Sequence, residues 1–247
     1  MTALVVDDLT LSYGRRVALD GVSFNCDAFP LAILGPNGAG KSTLLSVLTT
    51  RMRAKGGTFS LPGVDQASRS RDVRARIGWL PQDVLPVPGL RVREQVAFFG
   101  WLMGMSQPAA WRASEGALDA VGLLDRARQS AARLSGGQRR RLGIAQSIVH
   151  APGVLFMDEP TAGLDPDQRA GLRELITDLA QDVPTVITTH QVDDLHDVFR
   201  SVVVIADGRV VFSGTVDHFL DLAPTDAPAG RRAEAAYRQV LVAHSPR

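Results

Sequence analysis

"PLAILGPNGAGKST", residues 30–43, joins a continuously apolar run to a glycine-rich turn and then to a lysine. The run from Leu31 to Leu34 has no polar alternation, as a strand buried on both faces requires. The turn has the spacing G-x-x-x-x-G-K-[ST], and "KSTLLSVLTT" (41–50) after it has helical character. A strand that ends in glycines and opens a helix makes an anion cradle. The bare backbone of 37–41 closes around phosphate oxygens, and the helix N-terminus adds a favourable dipole. Gly35, Pro36, Asn37, Gly38, Ala39, Gly40 and Thr43 shape that loop, while Lys41 reaches the β and γ phosphates and the Ser42 hydroxyl joins a Mg²⁺ shell. Only Lys41 and Lys55 are lysines in a chain with 25 arginines, so a lysine retained here points to the functional reading over a plain glycine-rich turn.

Outward from the cradle the pattern is α/β. "ALVVDDLTLSY" (3–13) and "RVALDGVSFNC" (16–26) alternate as antiparallel strands joined at Gly14, and "TFSLPGV" (58–64) returns as a strand or hairpin. From about Val92 to Val149 apolar residues recur three and four apart, which predicts a helical insert of some 50 residues. "GVLFMDEP" (153–160), "PDQRAGLRELITDLAQD" (166–182) and "TVITTH" (185–190) read as buried strand, amphipathic helix and buried strand, the order of a parallel sheet. "SVVVIADGRVVFSG" (201–214) is a hairpin about Asp-Gly. Asp158 therefore stands at the carboxyl end of a buried strand, where ligands bind in open α/β sheets. It suits a Mg²⁺-associated acceptor, and Glu159 beside it suits orienting or deprotonating a water that attacks a γ-phosphate. Strands also end in plain solvated acids, so the reading rests on the pairing with 35–43.

Composition narrows the partners. The 247 residues are 45% hydrophobic, enough for a large core, and the formal net charge of +1 offers no basic field of the kind that gathers nucleic acid, which is not an expected partner. A single cysteine, Cys26, allows no internal disulfide and fits a reducing compartment, the cytosol. No run approaches the roughly 18 apolar residues of a membrane helix. The N-terminus "MTALVVDD" has neither the basic region nor the apolar core of a signal peptide.

"LSGGQ", residues 134–138, lies shortly before the strand that ends at Asp158, and with it the chain resembles the nucleotide-binding subunit of an ABC (ATP-binding cassette) transporter, in order over roughly residues 4–220. The resemblance implies a P-loop NTPase cassette with a mainly parallel core sheet, an N-terminal antiparallel β-subdomain and a helical signature subdomain. The cassette is expected over 2–220, with the helical part at about 83–150 and a peripheral tail at 221–247. ATP and Mg²⁺ are the implied cofactors. Tyr13 matches the ring that stacks on adenine, and Gln82 in "GWLPQD" matches the Q-loop glutamine that contacts Mg²⁺ or the attacking water. Asp158 and Glu159 match the Walker B pair, and His190 matches the switch histidine on the γ-phosphate. Asp165 matches the D-loop aspartate at a dimer seam, and Leu134, Ser135, Gly136, Gly137 and Gln138 match the signature that closes over the ATP of a second subunit. A homodimer with two competent sites and a separate transmembrane permease follow, with the chain cytoplasmic and peripheral on the inner face of the membrane.

"TAGLDP", "FFGWLMGMS" (98–106) and "LSGGQRRRLGIAQSI" resemble exporters of the ABC-2 type, although Gln138 stands where many close relatives in that branch have methionine. An importer, a permease-regulating ATPase and a non-transport member of the superfamily are the alternatives. A chain with one cassette, and about 117 positions between Lys41 and Asp158, is unlike the paired cassettes of ribosome-acting members and the long coiled coil of DNA-maintenance members. Several residues also admit plainer roles. Tyr13 could be one face of a strand, Gln82 a solvated loop residue, His190 structural, and Asp165 a helix cap before Pro166. Ser135 and Gln138 have capping-box spacing, which explains a helix start but not two glycines. Phe98, Phe99, Trp101 and Leu102 read either as a groove for a permease's coupling helix or as the core of their own subdomain, and "RSRDVRAR" (69–76) as a solvated face.

Overall fold

A computed structural model describes residues 3–64, 70–192 and 195–244. Along the chain run β1 (Leu4–Tyr13), β2 (Arg16–Cys26), β3 (Leu31–Leu34), α1 (Lys41–Leu48), β4 (Gly56–Ser60), α2 (Ser70–Arg74), β5 (Ile77–Leu80), α3 (Val92–Leu102), α4 (Gln107–Ala120), α5 (Gly136–Ile148), β6 (Val154–Asp158), α6 (Pro166–Asp182), β7 (Thr185–Thr188), α7 (Leu195–Val198), β8 (Ser201–Ala206), β9 (Arg209–Thr215), α8 (Val216–Leu220) and α9 (Arg232–His244). They form two compact units, one of residues 1–63 with 185–247 and one of residues 64–184.

In the first unit β1 pairs antiparallel with both β2 and β4. The alternation of β1 changes phase at "DD", because Asp8 adopts φ 49° and its N–H donates to Ser23 Oγ at 2.9 Å. That bulge shifts the register between Val6↔Phe24 and Leu9↔Val22 and keeps Leu4, Val6, Leu9 and Leu11 all buried. β3 is buried along its whole length and lies parallel to β7 on one side and β8 on the other. The β8–β9 hairpin turns on Asp207 and Gly208, both at positive φ, as a two-residue turn that follows the strand twist demands. Gly208 donates to Ala39 O at 3.0 Å and accepts from Asp20 N at 2.8 Å, so this turn braces the glycine-rich loop from behind. α9 packs on α8 and β9 and buries Ala236 and Val240.

In the second unit β5 and β6 run parallel, from Ile77↔Val154 to Leu80↔Met157. The sequence reading had no strand at 77–80, and there a Cβ on Gly78 would lie 2.6 Å from Ser147 O, so only glycine lets β5 approach α5 this closely. In the basic stretch 69–76, a solvated face by its sequence, Ser70–Arg74 form the short α2, and Arg69 lies outside the described residues. α3, α4 and α5 pack on one another as the expected helical insert, with Val96, Leu118, Leu142 and Ile144 in its interior.

Candidate functional site

The first unit carries the cradle. Gly40 is the N-cap of α1 at φ 107°, and a Cβ there would stand 2.5 Å from Ala18 O, so the position admits glycine alone. Leu44 N donates to Gly40 O at 2.8 Å, which starts α1 immediately behind the loop. Pro36, Asn37, Gly38 and Ser42 are exposed while Gly35 and Ala39 are buried. The side chain of Lys41, only 6% exposed, turns back over the loop and donates to Gly35 O at 2.7 Å and Pro36 O at 3.1 Å. A cation is thereby held against the loop's own carbonyls. A second cation stands alongside, because a Cβ built at Gly38 would lie 3.4 Å from Arg16 Nη2. The sequence reading did not single out Arg16.

Tyr13 ends β1 with a half-exposed ring whose hydroxyl donates to Met52 Sδ at 3.0 Å. His190 is exposed two residues past the end of β7, after Thr189 N is tied to Ile33 O at 3.1 Å.

The second unit carries the acids and the signature. Asp158 is the buried last residue of β6. Glu159 follows at φ 45°, a left-handed conformation that costs a non-glycine residue about 1–2 kcal/mol. Turns through Ala162 N–Glu159 O and Leu164 N–Thr161 O hold it there, and strain of this kind gathers at functional sites. Asp165 caps α6, its Oδ1 accepting from Gln168 N at 2.9 Å, so the plainer role open to it is real.

At the signature, Leu134 is buried and Ser135 and Gln138 complete the capping box. Ser135 Oγ accepts from Gln138 N at 3.3 Å and Gln138 Oε1 from Ser135 N at 3.0 Å. The two glycines then separate. A Cβ on Gly137 would come 2.5 Å from Gln168 Oε1, whereas one on Gly136 would meet nothing within 4 Å. Gly137 has a neighbour in its own chain; Gly136 faces open space, beside an exposed serine and at the amino end of a thirteen-residue helix.

Gln82 lies two residues beyond β5, with its side chain exposed and its main chain held. Arg140, 9% exposed, donates from Nη1 to Pro81 O at 3.1 Å and to Gln82 O, and from Nη2 to Ala162 O at 3.5 Å. Gln95, fully buried on α3, grips the same loop further on, donating to Leu85 O at 3.2 Å and accepting from Val87 N at 2.8 Å. Neither residue stood out in the sequence. Periodicity held the clue for Arg140, which shares a helix face with buried Gly143, Ile144 and Ser147.

Phe98, Trp101 and Leu102 are 36%, 48% and 52% exposed, so they are not the interior of the helical insert. With Glu94, Ala97, Gln107 and Trp111, the two rings line a groove between α3 and α4. Arg93 stacks over Trp111, 4.5 Å from its ring centre.

Among the described residues no three His, Cys, Asp or Glu side chains gather to hold a metal. Mg²⁺ needs no such cluster, since it takes one or two protein oxygens and completes its shell with waters and substrate phosphates.

A buried strand, a lysine-bearing glycine loop on a helix N-terminus and an acid-ended strand define the P-loop class of ATPases. The ABC transporter family model matches residues 9–162. The daunorubicin resistance ATP-binding protein DrrA3 of Streptomyces coeruleorubidus is 36% identical over 218 residues, 87% of this chain and 69% of that protein. The phosphonates import ATP-binding protein PhnC 2 of Haloarcula marismortui is 37% identical over 240 residues, 90% of this chain and 88% of that protein. Among solved structures, cbiO1 of Clostridium perfringens, part of the ABC transporter complex cbiONQ, superposes with a TM-score of 0.76 at 29% identity, covering 88% of this chain and 90% of that one. The chain belongs to the ABC transporter family and is an ATP-binding, ATP-hydrolysing subunit of such a transporter. Among the described residues no helix is long and apolar enough to cross a membrane.

Proposed function

We propose that this subunit drives an exporter, by closing as a head-to-tail homodimer over two ATP molecules and passing that motion to a separate transmembrane permease at the inner face of the membrane. Within each cassette Tyr13 stacks on adenine, the 35–43 loop with Lys41 holds the phosphates, Glu159 activates the attacking water, and Gln82 and His190 order the γ-phosphate end. Ser42, Gln82 and Asp158 are the residues for Mg²⁺, which when bound neutralises charge on the β and γ phosphate oxygens. Ser135 and Gly136 face the γ-phosphate of the partner's ATP, and Asp165 lies at the seam.

The observation that carries this reading is Gly136. It is bare backbone at a helix N-terminus where an added Cβ would meet nothing within 4 Å among the described residues, which suits a phosphate that another copy presents. Export is favoured by the likeness to a drug-resistance ATP-binding protein, and import is the second reading because the phosphonates import protein is as similar over a longer span. Glu159→Gln removes the base and keeps the shape, so this variant with ATP and Mg²⁺ elutes as a dimer on a sizing column. A monomer under those conditions overturns the sandwich. Uptake into inverted vesicles that carry the cognate permease marks export, and uptake into right-side-out vesicles marks import.

A further inference from the structure

The signature helix and the Q-loop are joined by one buried cation. Arg140 sits on the second turn of α5, and its planar fork serves three main-chain carbonyls, those of Pro81, Gln82 and Ala162. These belong to two segments far apart in sequence, the loop after β5 and the turn between Glu159 and Asp165. A guanidinium offers five donors in fixed directions, so it holds such carbonyls in one geometry where an ammonium would not. Burial lowers its pKa from the ordinary arginine value, and the charges of Asp83 and Asp158 oppose that shift.

The side chain of Gln82 extends into solvent from a main chain that Arg140 grips, and Gln95 fixes the far end of the same loop through Leu85 and Val87. The loop is thus pinned at its base and at its exit while the glutamine tip stays exposed. On the second segment, Arg140 reaches the carbonyl of Ala162, whose own N–H closes the turn on Glu159.

We propose that Arg140 is a positioning residue for ATP hydrolysis: it sets the main chain at Gln82 from the signature helix, so that the Q-loop glutamine adopts its working position only when α5 is in place. The proposal rests on the functional reading above. In the head-to-tail dimer the signature serves the partner's ATP and Gln82 serves its own, so Arg140 ties together groups that act at two different nucleotides. The link is a chain of hydrogen bonds, and its coupling is measurable.

The test uses the full chain and compares Arg140→Gln, Arg140→Lys, Gln82→Ala and the Arg140→Gln/Gln82→Ala double variant by kcat, KM, affinity for a non-hydrolysable ATP analogue and melting temperature. Arg140→Gln is expected to lower kcat by about tenfold to a hundredfold, as a misplacement on the order of 1 Å does, with analogue affinity within about twofold of wild type. Arg140→Lys recovers part of that loss. In the Gln82→Ala background Arg140→Gln costs less than about twofold more, because two residues acting through one another are not additive. Full additivity, an unchanged kcat, or a kcat loss matched by lost analogue affinity overturns the proposal. If Arg140→Gln does not fold, Arg140→Lys carries the test, and a kcat equal to wild type overturns it. Wild-type protein that fails to hydrolyse ATP refutes the ATPase reading itself, whereas active wild type with unaffected Arg140 variants refutes this inference alone.

Discussion

Gly137 lies beneath the side chain of Gln168, while a Cβ on Gly136 one residue earlier would meet no atom within 4 Å beyond its own helix backbone and chain neighbours among the described residues. The pair at the head of α5 therefore has two causes. An alanine at 137 must displace the end of a flexible glutamine, a small adjustment. An alanine at 136 has room, and alanine is the better helix former by about 1 kcal/mol in a helix interior. Gly136→Ala is expected to leave the melting temperature unchanged or raised and to cut ATPase activity at least about tenfold, since a methyl group would hold the partner's phosphate off by an ångström or more. A stable Gly136→Ala protein with wild-type turnover would show that no group approaches this backbone. The comparison is clean because lack of space, the plainer explanation for a glycine, is absent at 136, and at 137 it amounts to the movable end of Gln168.

Lys41 is nine-tenths buried and rests on the carbonyls of Gly35 and Pro36. Those carbonyls hold the ammonium where an anion entering the cradle would meet it. A hydrogen bond to a charged group contributes about 1.5–3 kcal/mol. Lys41→Ala is accordingly expected to weaken ATP binding by roughly tenfold to a hundredfold, measured by fluorescence titration or calorimetry. Retained affinity would remove Lys41 from the phosphate site.

The elements that announced themselves in the sequence were those whose pattern repeats. β3 is an unbroken apolar run, β6 is one up to its final Asp158, β7 sets Val186 and Ile187 between threonines, β8 and β9 flank Asp-Gly, and α6 begins at Pro166 behind a capping aspartate, as its sequence proposed. β5 escaped because "IGWL" is four residues long, with a glycine whose purpose, the approach of Ser147 O, is tertiary. The left-handed backbone at Glu159 has no sequence signal, since nothing about a glutamate after a strand requires it. Arg140 was hidden by its neighbours. In "RRR" the three arginines look alike, yet Arg140 turns to the loop at Pro81 and Gln82 while Arg141 reaches Val121 O and Gly171 O. The capping roles of Ser135, Gln138 and Asp165 were legible because the partners lie three residues away. The partners of Arg140 lie 22 to 59 residues away, beyond the reach of local pattern.

His150, after the end of α5, donates from Nε2 to Ile77 O at 3.1 Å, and its Nδ1 is buried with no partner among the described residues. Burial lowers its pKa below the usual 6.5, against the smaller opposing effect of the Ile77 carbonyl. The folded state therefore prefers the neutral ring, while the unfolded chain takes up a proton near pH 6.5. Below that pH the unfolded state binds more protons than the native one, so stability is full above about 6.5 and falls as the pH drops toward the lower native value. Melting curves between pH 7.5 and pH 5.5, on the order of one unit either side of the free value, should fall on the acid side. In His150→Gln, which cannot titrate, that part of the slope should vanish; an unchanged slope would assign the acid sensitivity to other groups.

The rings of Phe98 and Trp101 lie 5.9 Å apart on α3 and remain 36% and 48% exposed. An apolar pair left in water on a helix face stabilises its own unit little, and large contiguous exposed apolar patches mark interaction surfaces. The groove they line opens between α3 and α4, and α3 also carries Gln95, which holds the loop beyond Gln82. A permease segment seated there would press on the helix that grips the Q-loop. Phe98→Ala and Trp101→Ala, singly, are expected to cost no more than about 1 kcal/mol of stability, as substitutions away from a packed core do. ATPase activity of the isolated subunit should stay close to wild type, while co-purification with the cognate permease and transport in vesicles are lost. Unfolding of either variant would return these rings to the core, and intact co-purification with intact transport would leave the groove without a role in coupling.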